Sequence, residues 1–238
     1  MNVVITQPML FPWRGLLEQI MLANVLVNYA DVQFSKGSFT NRVQIKDSTG
    51  SRWMTVPLEK FHLGARIDEV KPATNVDWRA QHLRMLEQAY EAAPHVSDML
   101  ALVRSVYDVD YPNMGALALA SMRAVCRYLG IEMDSKFIDA PELAVPGSNT
   151  GRVLAIVQKL HGTKYITGHG AKHYLAHAEF EQHGITVEYM NYALLPYTQL
   201  HGEFTPFVSS LDLIANHGPA SKQYMRPQTL NWREFIHE

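Results

Sequence analysis

Residues 2–29, NVVITQPMLFPWRGLLEQIMLANVLVNY, carry the pattern that decides the fold class. The apolar run Asn2–Thr6 predicts a short buried strand, Trp13–Ala23 has apolar side chains at helical spacing, and Val25–Tyr29 predicts a second strand. Pro12 suits the start of the helix, where its missing N–H costs nothing. A strand, a helix and a strand within about thirty residues match one βαβ unit, so parallel strands are expected at the centre of the fold.

The same alternation of strand and helix returns later in the chain. We expect helices over Asn149–Leu160 and Ala171–His183, and strands over Lys164–Thr167 and Thr186–Tyr189. The strands from the two parts of the chain are therefore expected to join one parallel sheet.

The residues between these two parts have different patterns. Arg42–Lys46 and Arg52–Pro57 alternate around Asp-Ser-Thr-Gly, which indicates a β-hairpin with a longer turn. Trp78–Ala92 and Asn113–Leu129 have apolar residues at helical spacing, and Gly130 suits the end of the second helix. The sequence thus predicts an α/β fold with a parallel Rossmann-like sheet, a β-hairpin and a mainly helical insert or lid.

A single α/β unit accounts for the length of 238 residues. Within it we assign the sheet core to residues 1–60 and 149–195. A helical subdomain is assigned to residues 75–140, and a C-terminal helical cap to residues 196–238.

Composition narrows the class of protein. The formal net charge of −2 gives no attraction to nucleic acid or to an anionic membrane surface. The first residues do not resemble a signal peptide, and no apolar run reaches the ~20 residues that a membrane helix needs. Cys126 is the one cysteine, and its apolar helical setting favours a packing role. We expect a cytoplasmic protein with a small-molecule substrate and without nucleic-acid or membrane partners; a homodimer is one open oligomeric state.

The turn Gln7–Gly15 is the first candidate ligand site. In open α/β sheets ligands bind at the carboxyl edge of the strands, and the N-terminus of the following helix offers free N–H groups to an anion. The alternative is a rigid loop whose Phe11 and Trp13 pack in the core.

The loop Asp31–Arg42, extended by Lys46, is the second candidate. Lys36, Arg42 and Lys46 lie beside hydroxyl groups and a glycine, a combination that suits phosphate. The alternative is a solvated surface loop, although polar loops at the carboxyl end of a strand are often functional.

The third candidate is Thr167–Leu175, where a strand ends and two glycines flank His169. This pattern resembles an anion-binding turn between a strand and a helix, and the alternative is a plain tight turn. His173 and His177 are expected on one helix face. Two histidines supply only part of a tetrahedral zinc shell and no acidic or cysteine ligand accompanies them, so we expect no metal site.

A fourth segment, Pro196–Pro206, predicts an irregular aromatic loop in which Tyr197 and Gln199 are candidate ligand contacts. Ser209 is expected to cap a short helix that ends near Gly218. The alternative is a helix that only docks on the core.

The first three candidates are expected to meet. Gln7–Gly15, Asp31–Arg42 and Thr167–Lys172 each follow a short apolar strand, and the carboxyl ends of parallel strands face one edge of a sheet. We therefore expect one cavity of roughly 300–1,000 Å³ among them, the usual size for a small-molecule site.

Five blocks of residues follow one another along nearly the whole chain: Gln7-Pro8 with Pro12-Trp13-x-Gly15, Asp31-x-Gln33-Phe34-Ser35-Lys36 with Asn41-Arg42, Tyr165-x-x-Gly168 with Tyr174-Leu175, Pro196-Tyr197-x-Gln199, and Ser209-x-x-Asp212 with Asn216-x-Gly218. Together they resemble the WbqC-like family. The first strand, the proline-rich turn and the Asp-x-Gln-Phe loop also resemble, faintly, the pantothenate synthetase and nucleotidyltransferase group. Trp13-Arg14-Gly15-Leu16 stands where that group has His-x-Gly-His.

The first resemblance implies a role in the biosynthesis of bacterial surface polysaccharides such as O-antigen, with a suggested transfer of glycine. The second implies a nucleotide, with ATP and Mg²⁺ as the candidate cofactors. We therefore expect an aminoacyl transferase or ATP-dependent amide ligase that joins a glycine-like amino acid to an amino sugar, a nucleotide-sugar or another small metabolite. The alternative is a non-catalytic module that binds a nucleotide-sugar or a partner enzyme.

Residue roles follow from these expectations. The catalytic set is Asp31, Gln33, Lys36 and Arg42, in which the two cations neutralise phosphate. Contacts to the substrate or nucleotide are expected from Gln7, Phe11, Trp13, Ser35, Asn41, Lys46, Gly168, His169, Lys172, Tyr174, Tyr197 and Gln199.

Overall fold

A six-stranded sheet forms the centre of the protein in a computed structural model that describes residues 1–237. The strands of this sheet are β1 Asn2–Thr6, β2 Val25–Asn28, β5 Phe137–Asp139, β6 Lys164–Thr167, β7 Thr186–Met190 and β8 Thr229–Asn231. Their order is β5-β2-β1-β6-β7-β8. The first five are parallel to their neighbours, whereas β8 pairs antiparallel with β7. The predicted α/β fold with a mainly parallel sheet is confirmed.

The order of the strands has one reversal point. From β1 the chain moves outward to β2 and β5, and it then returns to the other side of β1 with β6 and β7. This is the order 3-2-1-4-5-6 of the Rossmann fold, with the sixth strand reversed. The reversal lies between β1 and β6, where a crevice forms because the connections leave in opposite directions.

The predicted hairpin is present, but its turn is shorter than expected. Strands β3 (Arg42–Asp47) and β4 (Gly50–Thr55) pair antiparallel, and Asp47 faces Gly50, so two residues separate them. The Asp47 carboxylate accepts hydrogen bonds from the Thr49 backbone N–H at 2.8 Å and from the Thr49 hydroxyl at 2.7 Å. These bonds close the tight turn, and the hydroxyl bond is the main reason that the pKa of Asp47 falls to about 2.

Helices cover both faces of the sheet. They are α1 Arg14–Leu22, α2 Trp78–Tyr90, α3 Val96–Tyr107, α4 Met114–Tyr128, α5 Asn149–Lys159, α6 His177–Gln182, α7 Ser210–His217 and α8 Trp232–Phe235. In β1, Val4 belongs to a large core that includes α1 to α4 and α7, whereas Val3 and Ile5 belong to a second core with α5 and α6. Successive side chains of β1 thus point to opposite faces of the sheet and are buried on both. This is the pattern of a central parallel strand.

The predicted helix over Ala171–His183 is wrong, because the structure divides it. A 3₁₀ helix spans His169–His173, and α6 begins at His177. The hydroxyl of Thr150 donates to the Tyr174 carbonyl at 3.0 Å and accepts from the Ala176 backbone N–H at 3.1 Å. These bonds replace helical ones, so His173 and His177 do not share a helix face. Within residues 1–237 no group of three or more histidine, cysteine or acidic side chains is arranged to hold a metal ion.

Two further observations concern the described helices. Among residues 1–237, none is both long and apolar enough to cross a membrane. Cys126 in α4 is buried, and burial raises the pKa of its thiol to about 12, so the reactive thiolate is scarce at neutral pH.

The buried His82 in α2 should make the protein sensitive to acid. Its Nδ1 lies 2.9 Å from the Tyr107 hydroxyl and its Nε2 lies 3.0 Å from the Thr55 carbonyl, an arrangement that suits the neutral Nε2–H form. Burial lowers the pKa of His82 from 6.5 to about 4. Between these values the unfolded chain binds the proton more readily, so stability is present above pH 6.5 and is lost as the pH falls toward 4.

We expect protonation of His82 to lower the free energy of unfolding by about 3 kcal/mol as the pH falls from 6.5 to about 4. Urea denaturation of the wild type at pH 7 and at pH 4.5 measures the loss. His82→Gln should be less stable at pH 7 but should show a smaller change with pH, whereas the exposed His62→Gln should keep the full change. An equal acid loss in wild type and His82→Gln would assign the effect to other groups.

Candidate functional site

A cavity of about 440 Å³ opens at the reversal point of the sheet. The last residues of β1 and β6, Thr6 and Thr167, line it together with Gln7 and Gly168, which follow them. We call it the switch-point cavity. The cavity is lined by residues from all three turns that the sequence predicted at this edge of the sheet. The convergence expected from the topology is therefore present.

The first of these turns is held in a strained conformation. Phe11 has a φ of 34°, which is uncommon for a residue with a side chain. Its backbone N–H donates to the Ser121 hydroxyl at 2.8 Å, and its carbonyl accepts from the Ser209 hydroxyl at 2.7 Å. Such strain persists only where the surroundings fix it, and it is concentrated at functional sites.

The same turn places Trp13 against the start of α1. A Cβ atom on Gly15 would lie 2.3 Å from the Trp13 ring, so the indole rests on the bare glycine backbone. Trp13 occupies the capping position of α1 without a capping hydrogen bond from its side chain. The first turn of α1 is buried, and the backbone N–H of Leu16 donates to the Trp13 carbonyl at 3.2 Å.

The second turn closes over the first. The Leu10 backbone N–H donates to the Phe39 carbonyl at 2.9 Å, and Ser38, Phe39 and Thr40 line the switch-point cavity. Within the described residues, the buried Ser38 hydroxyl has no hydrogen-bond partner. An unpaired buried hydroxyl costs free energy, which a bound ligand can recover.

The lining of the switch-point cavity is uncharged and combines apolar with neutral polar side chains. Within residues 1–237 it contains no lysine, arginine, histidine or acidic side chain, and its polar groups are amides, hydroxyls and phenols. Burial raises the pKa of Tyr29 and of Tyr174, so both phenols stay protonated and can donate hydrogen bonds. The arrangement suits a ligand whose oxygen atoms accept hydrogen bonds from neutral donors.

A neighbouring pocket of about 490 Å³, the Asp31 pocket, extends from this cavity past Tyr29 and Tyr174. Arg152 from α5 forms an ion pair with Asp31, and its guanidinium lies 4.8 Å from the centre of the Tyr29 ring. Gln33 and Ser148 also line it. This pocket places one carboxylate, oriented by arginine, beside the switch-point cavity.

On the other side, an apolar pocket of about 400 Å³ shares Trp13, Phe39 and Tyr192 with the switch-point cavity. We call it the aromatic annex. Its remaining lining residues are His169, Asn191, Leu194 and Phe207.

The structure brings part of the expected site together. Gln7, Trp13, Gly168 and Tyr174 line the switch-point cavity, His169 lines the annex, and Asp31 and Gln33 line the Asp31 pocket. The other expected site residues line none of these three pockets: Phe11, Ser35, Lys36, Asn41, Arg42, Lys46, Lys172, Tyr197 and Gln199.

Several of those residues have structural partners instead. Phe11 is buried against Tyr107, and Asn41 donates to the Val56 carbonyl at 3.1 Å. The Arg42 guanidinium lies 3.9 Å from the centre of the Trp53 ring, and Lys36 lies 5.7 Å from that of Phe61.

The side chain of Lys46 also has structural partners. Its ammonium group is buried and donates to the Gln199 side-chain oxygen at 3.1 Å and to the carbonyls of Gly202 at 3.4 Å and Glu203 at 2.5 Å. Gln199 in turn donates to the Tyr197 hydroxyl at 2.9 Å. These three residues therefore join the hairpin to the C-terminal loop, away from the cavities.

Sequence reasoning missed several lining residues. Thr6 is the final residue of β1 and Tyr29 directly follows β2, so the rule that ligands bind at the carboxyl edge of the strands contained a signal for both. Tyr192 and Phe207 lie in an irregular segment whose path no periodicity predicts.

The relationships of the chain to other proteins agree with its motifs. The model of the WbqC-like protein family matches residues 7–224. The chain belongs to this family. The WbqC-like match includes all three turns that line the switch-point cavity. A relative from Mycobacterium tuberculosis (strain ATCC 25618 / H37Rv), the uncharacterized protein Rv1507c, is 31% identical over 230 residues, which cover 94% of this chain and 97% of that protein. No solved structure shows a significant match.

Proposed function

We propose that this WbqC-like protein is a biosynthetic enzyme that binds a nucleotide or nucleotide-sugar in the switch-point cavity and joins a glycine-like amino acid to a small acceptor such as an amino sugar. The observation that carries the proposal is the position of the cavity at the reversal point of a 3-2-1-4-5-6 sheet. In open α/β sheets this crevice is where nucleotides and related ligands bind.

Neutral donors replace the cations that the sequence suggested for phosphate. The unpaired Ser38 hydroxyl and the phenols of Tyr29 and Tyr174 supply hydrogen bonds to phosphate oxygens. ATP with Mg²⁺ is one form of the nucleotide in this proposal, and it would supply the activation that amide formation needs. The reaction class is then ATP-dependent ligation or aminoacyl transfer.

The Asp31 pocket supplies the group that handles the amine. The Asp31 carboxylate, oriented by Arg152, is placed to hold the ammonium group of an amino acid or amino sugar beside the bound nucleotide. Positioning two reactants in adjoining pockets can by itself provide a large share of the acceleration of such a transfer.

A second candidate is a non-catalytic module that binds a nucleotide-sugar. The uncharged lining of the switch-point cavity within residues 1–237 favours this candidate, because no general base touches its centre. The enzyme and the module would bind the same ligand, but only the enzyme would convert it to a product.

A larger side chain that fills part of the switch-point cavity should weaken ligand binding. Gly168 has a φ of −81°, which a leucine accepts, and a Cβ atom there would lie 3.4 Å from the Tyr192 hydroxyl at the cavity wall. We expect Gly168→Leu to weaken nucleotide binding at least about 10-fold, since the side chain occupies the ligand volume. Calorimetry with ATP and nucleotide-sugars measures this.

Ala101→Leu, on the exposed face of α3, is the matched control and should bind as the wild type does. Incubation with ATP, glycine and amino sugars, followed by assays for pyrophosphate and for a mass increase of the acceptor, separates enzyme from module. Binding without turnover would favour the module. A wild type that binds none of the nucleotides, or a Gly168→Leu variant that binds them normally, would refute the nucleotide site.

A further inference from the structure

We propose that the aromatic annex is the subsite for a nucleobase, so that one nucleotide spans the annex and the switch-point cavity. This inference rests on the proposed function and adds to it the part of the substrate that determines specificity. Trp13, Phe39 and Tyr192 line both spaces, so a ligand passes from one to the other without leaving protein contact.

Aromatic faces at the annex remain open to solvent. Phe207 is 55% exposed and Phe39 is 45% exposed, although large aromatic side chains contribute most when they are covered. The Trp13 ring lies 4.7 Å from that of Tyr192 and 5.8 Å from that of Phe207, measured between ring centres. A cluster of rings beside a cavity is the setting in which a planar base stacks.

Two polar groups give the annex the means to read the edge of a base. His169 Nε2 lies 2.8 Å from the Met190 carbonyl, so this nitrogen carries the proton and Nδ1 is left as an acceptor. Among residues 1–237 no hydrogen bond engages the side-chain amide of Asn191, which offers one acceptor and two donors. Donors and acceptors at the rim of a stacking surface match the edge of a nucleobase.

Other parts of the substrate fit the annex less well. A sugar would leave its hydroxyl groups without partners among Trp13, Leu194 and Phe207. An aliphatic acyl chain would cover the rings but would leave Asn191 and His169 without polar contacts. The volume of about 400 Å³ is sufficient for a planar base.

The position of the annex also agrees with the rest of the nucleotide. Ser38 and the phenols of Tyr29 and Tyr174 lie on the switch-point side, where they would hold ribose and phosphate. The annex begins at Trp13 and extends toward Phe207. The two subsites therefore divide a nucleotide into its polar and aromatic parts.

The test compares ligands with and without a base. Affinities for ATP, uridine diphosphate, ribose 5-phosphate and tripolyphosphate are measured by calorimetry. We expect Phe207→Ala to weaken binding of the two nucleotides about 10-fold, as the loss of one stacking partner does, and to change the two base-free ligands less than about 2-fold. Asn191→Ala should change the ratio of the two nucleotide affinities.

Leu63→Ala removes an apolar side chain that is 96% exposed elsewhere and serves as the control. If Phe207→Ala binds nucleotides as the wild type does while Gly168→Leu does not, the annex proposal is overturned and the proposed function stands. Equal losses for nucleotides and base-free ligands also overturn it. If the wild type binds no nucleotide, the proposed function fails together with the annex proposal.

Discussion

Lys46→Met should lower the unfolding free energy by about 3 kcal/mol, although the side-chain volume is nearly kept. The ammonium group is buried and donates to Gln199, Gly202 and Glu203. A thioether cannot donate, so three acceptors lose this hydrogen-bond partner.

The loss of the Lys46 charge also affects the buried carboxylate of Asp212. Asp212 is fully buried and accepts hydrogen bonds from the hydroxyls of Tyr90 at 3.0 Å and Tyr197 at 2.8 Å. Burial raises the pKa of Asp212, and the hydrogen bonds from the two tyrosines, that from Gln199 and the positive charge of Lys46 oppose this increase. Without Lys46 the negative charge at Asp212 is harder to maintain, which adds to the cost.

Urea denaturation at pH 7 measures the change, and Lys36→Met is the matched control. Lys36 belongs to the same basic segment but is exposed, so its substitution should alter stability by less than about 0.5 kcal/mol. Lys46→Met/Asp212→Asn should be less destabilised than the sum of the single variants, because the two charges interact. If both lysine variants were equally stable, Lys46 would not have the structural role assigned to it.

Gly15→Ala should disrupt the ligand site while it leaves the fold intact. Alanine is favoured over glycine in a helix by up to about 1 kcal/mol, so α1 itself should tolerate the change. The new Cβ atom would lie 2.3 Å from the Trp13 ring, and the indole must move. Since Trp13 lines both the switch-point cavity and the annex, we expect nucleotide affinity to fall at least about 10-fold.

Gly151→Ala is the matched control for this variant. Gly151 lies in the first turn of α5, and a Cβ atom there meets no other atom within 4 Å. Nucleotide affinity and tryptophan fluorescence should be unchanged in this control and altered in Gly15→Ala. If Gly15→Ala bound nucleotides as tightly as Gly151→Ala does, the prediction would fail.

The main features of the sheet could be predicted because its strands have short-range signals. Asn2–Thr6 and Lys164–Thr167 form strands with the bounds that their apolar runs indicate. Strands β5 and β8 have three residues each, too few for a period to appear, and their pairing depends on distant partners. The divided helix at Tyr174 depends on Thr150, which lies 24 residues earlier.

The site was predictable in position more than in composition. The rule that ligands bind at the carboxyl edge of parallel strands placed three turns at one cavity, and Gln7 and Gly168 line it. Charge alone did not indicate which residues line the cavity, because whether a cation faces a cavity or a carbonyl is decided by tertiary contacts. Lys46 donates to a loop 156 residues away, and no local pattern contains that information.

The antiparallel strand β8 has a consequence for the handling of this protein. It pairs with Glu188, Tyr189 and Met190 of β7, so that the edge strand on this side of the sheet has three residues instead of five. Trp232 and Phe235, which follow it, pack on the second core. An edge strand with unpaired N–H and C=O groups can form hydrogen bonds with strands of other molecules. We therefore expect that a truncation that removes residues 229–237 would expose the longer edge of β7 and increase aggregation, while the switch-point cavity keeps its lining.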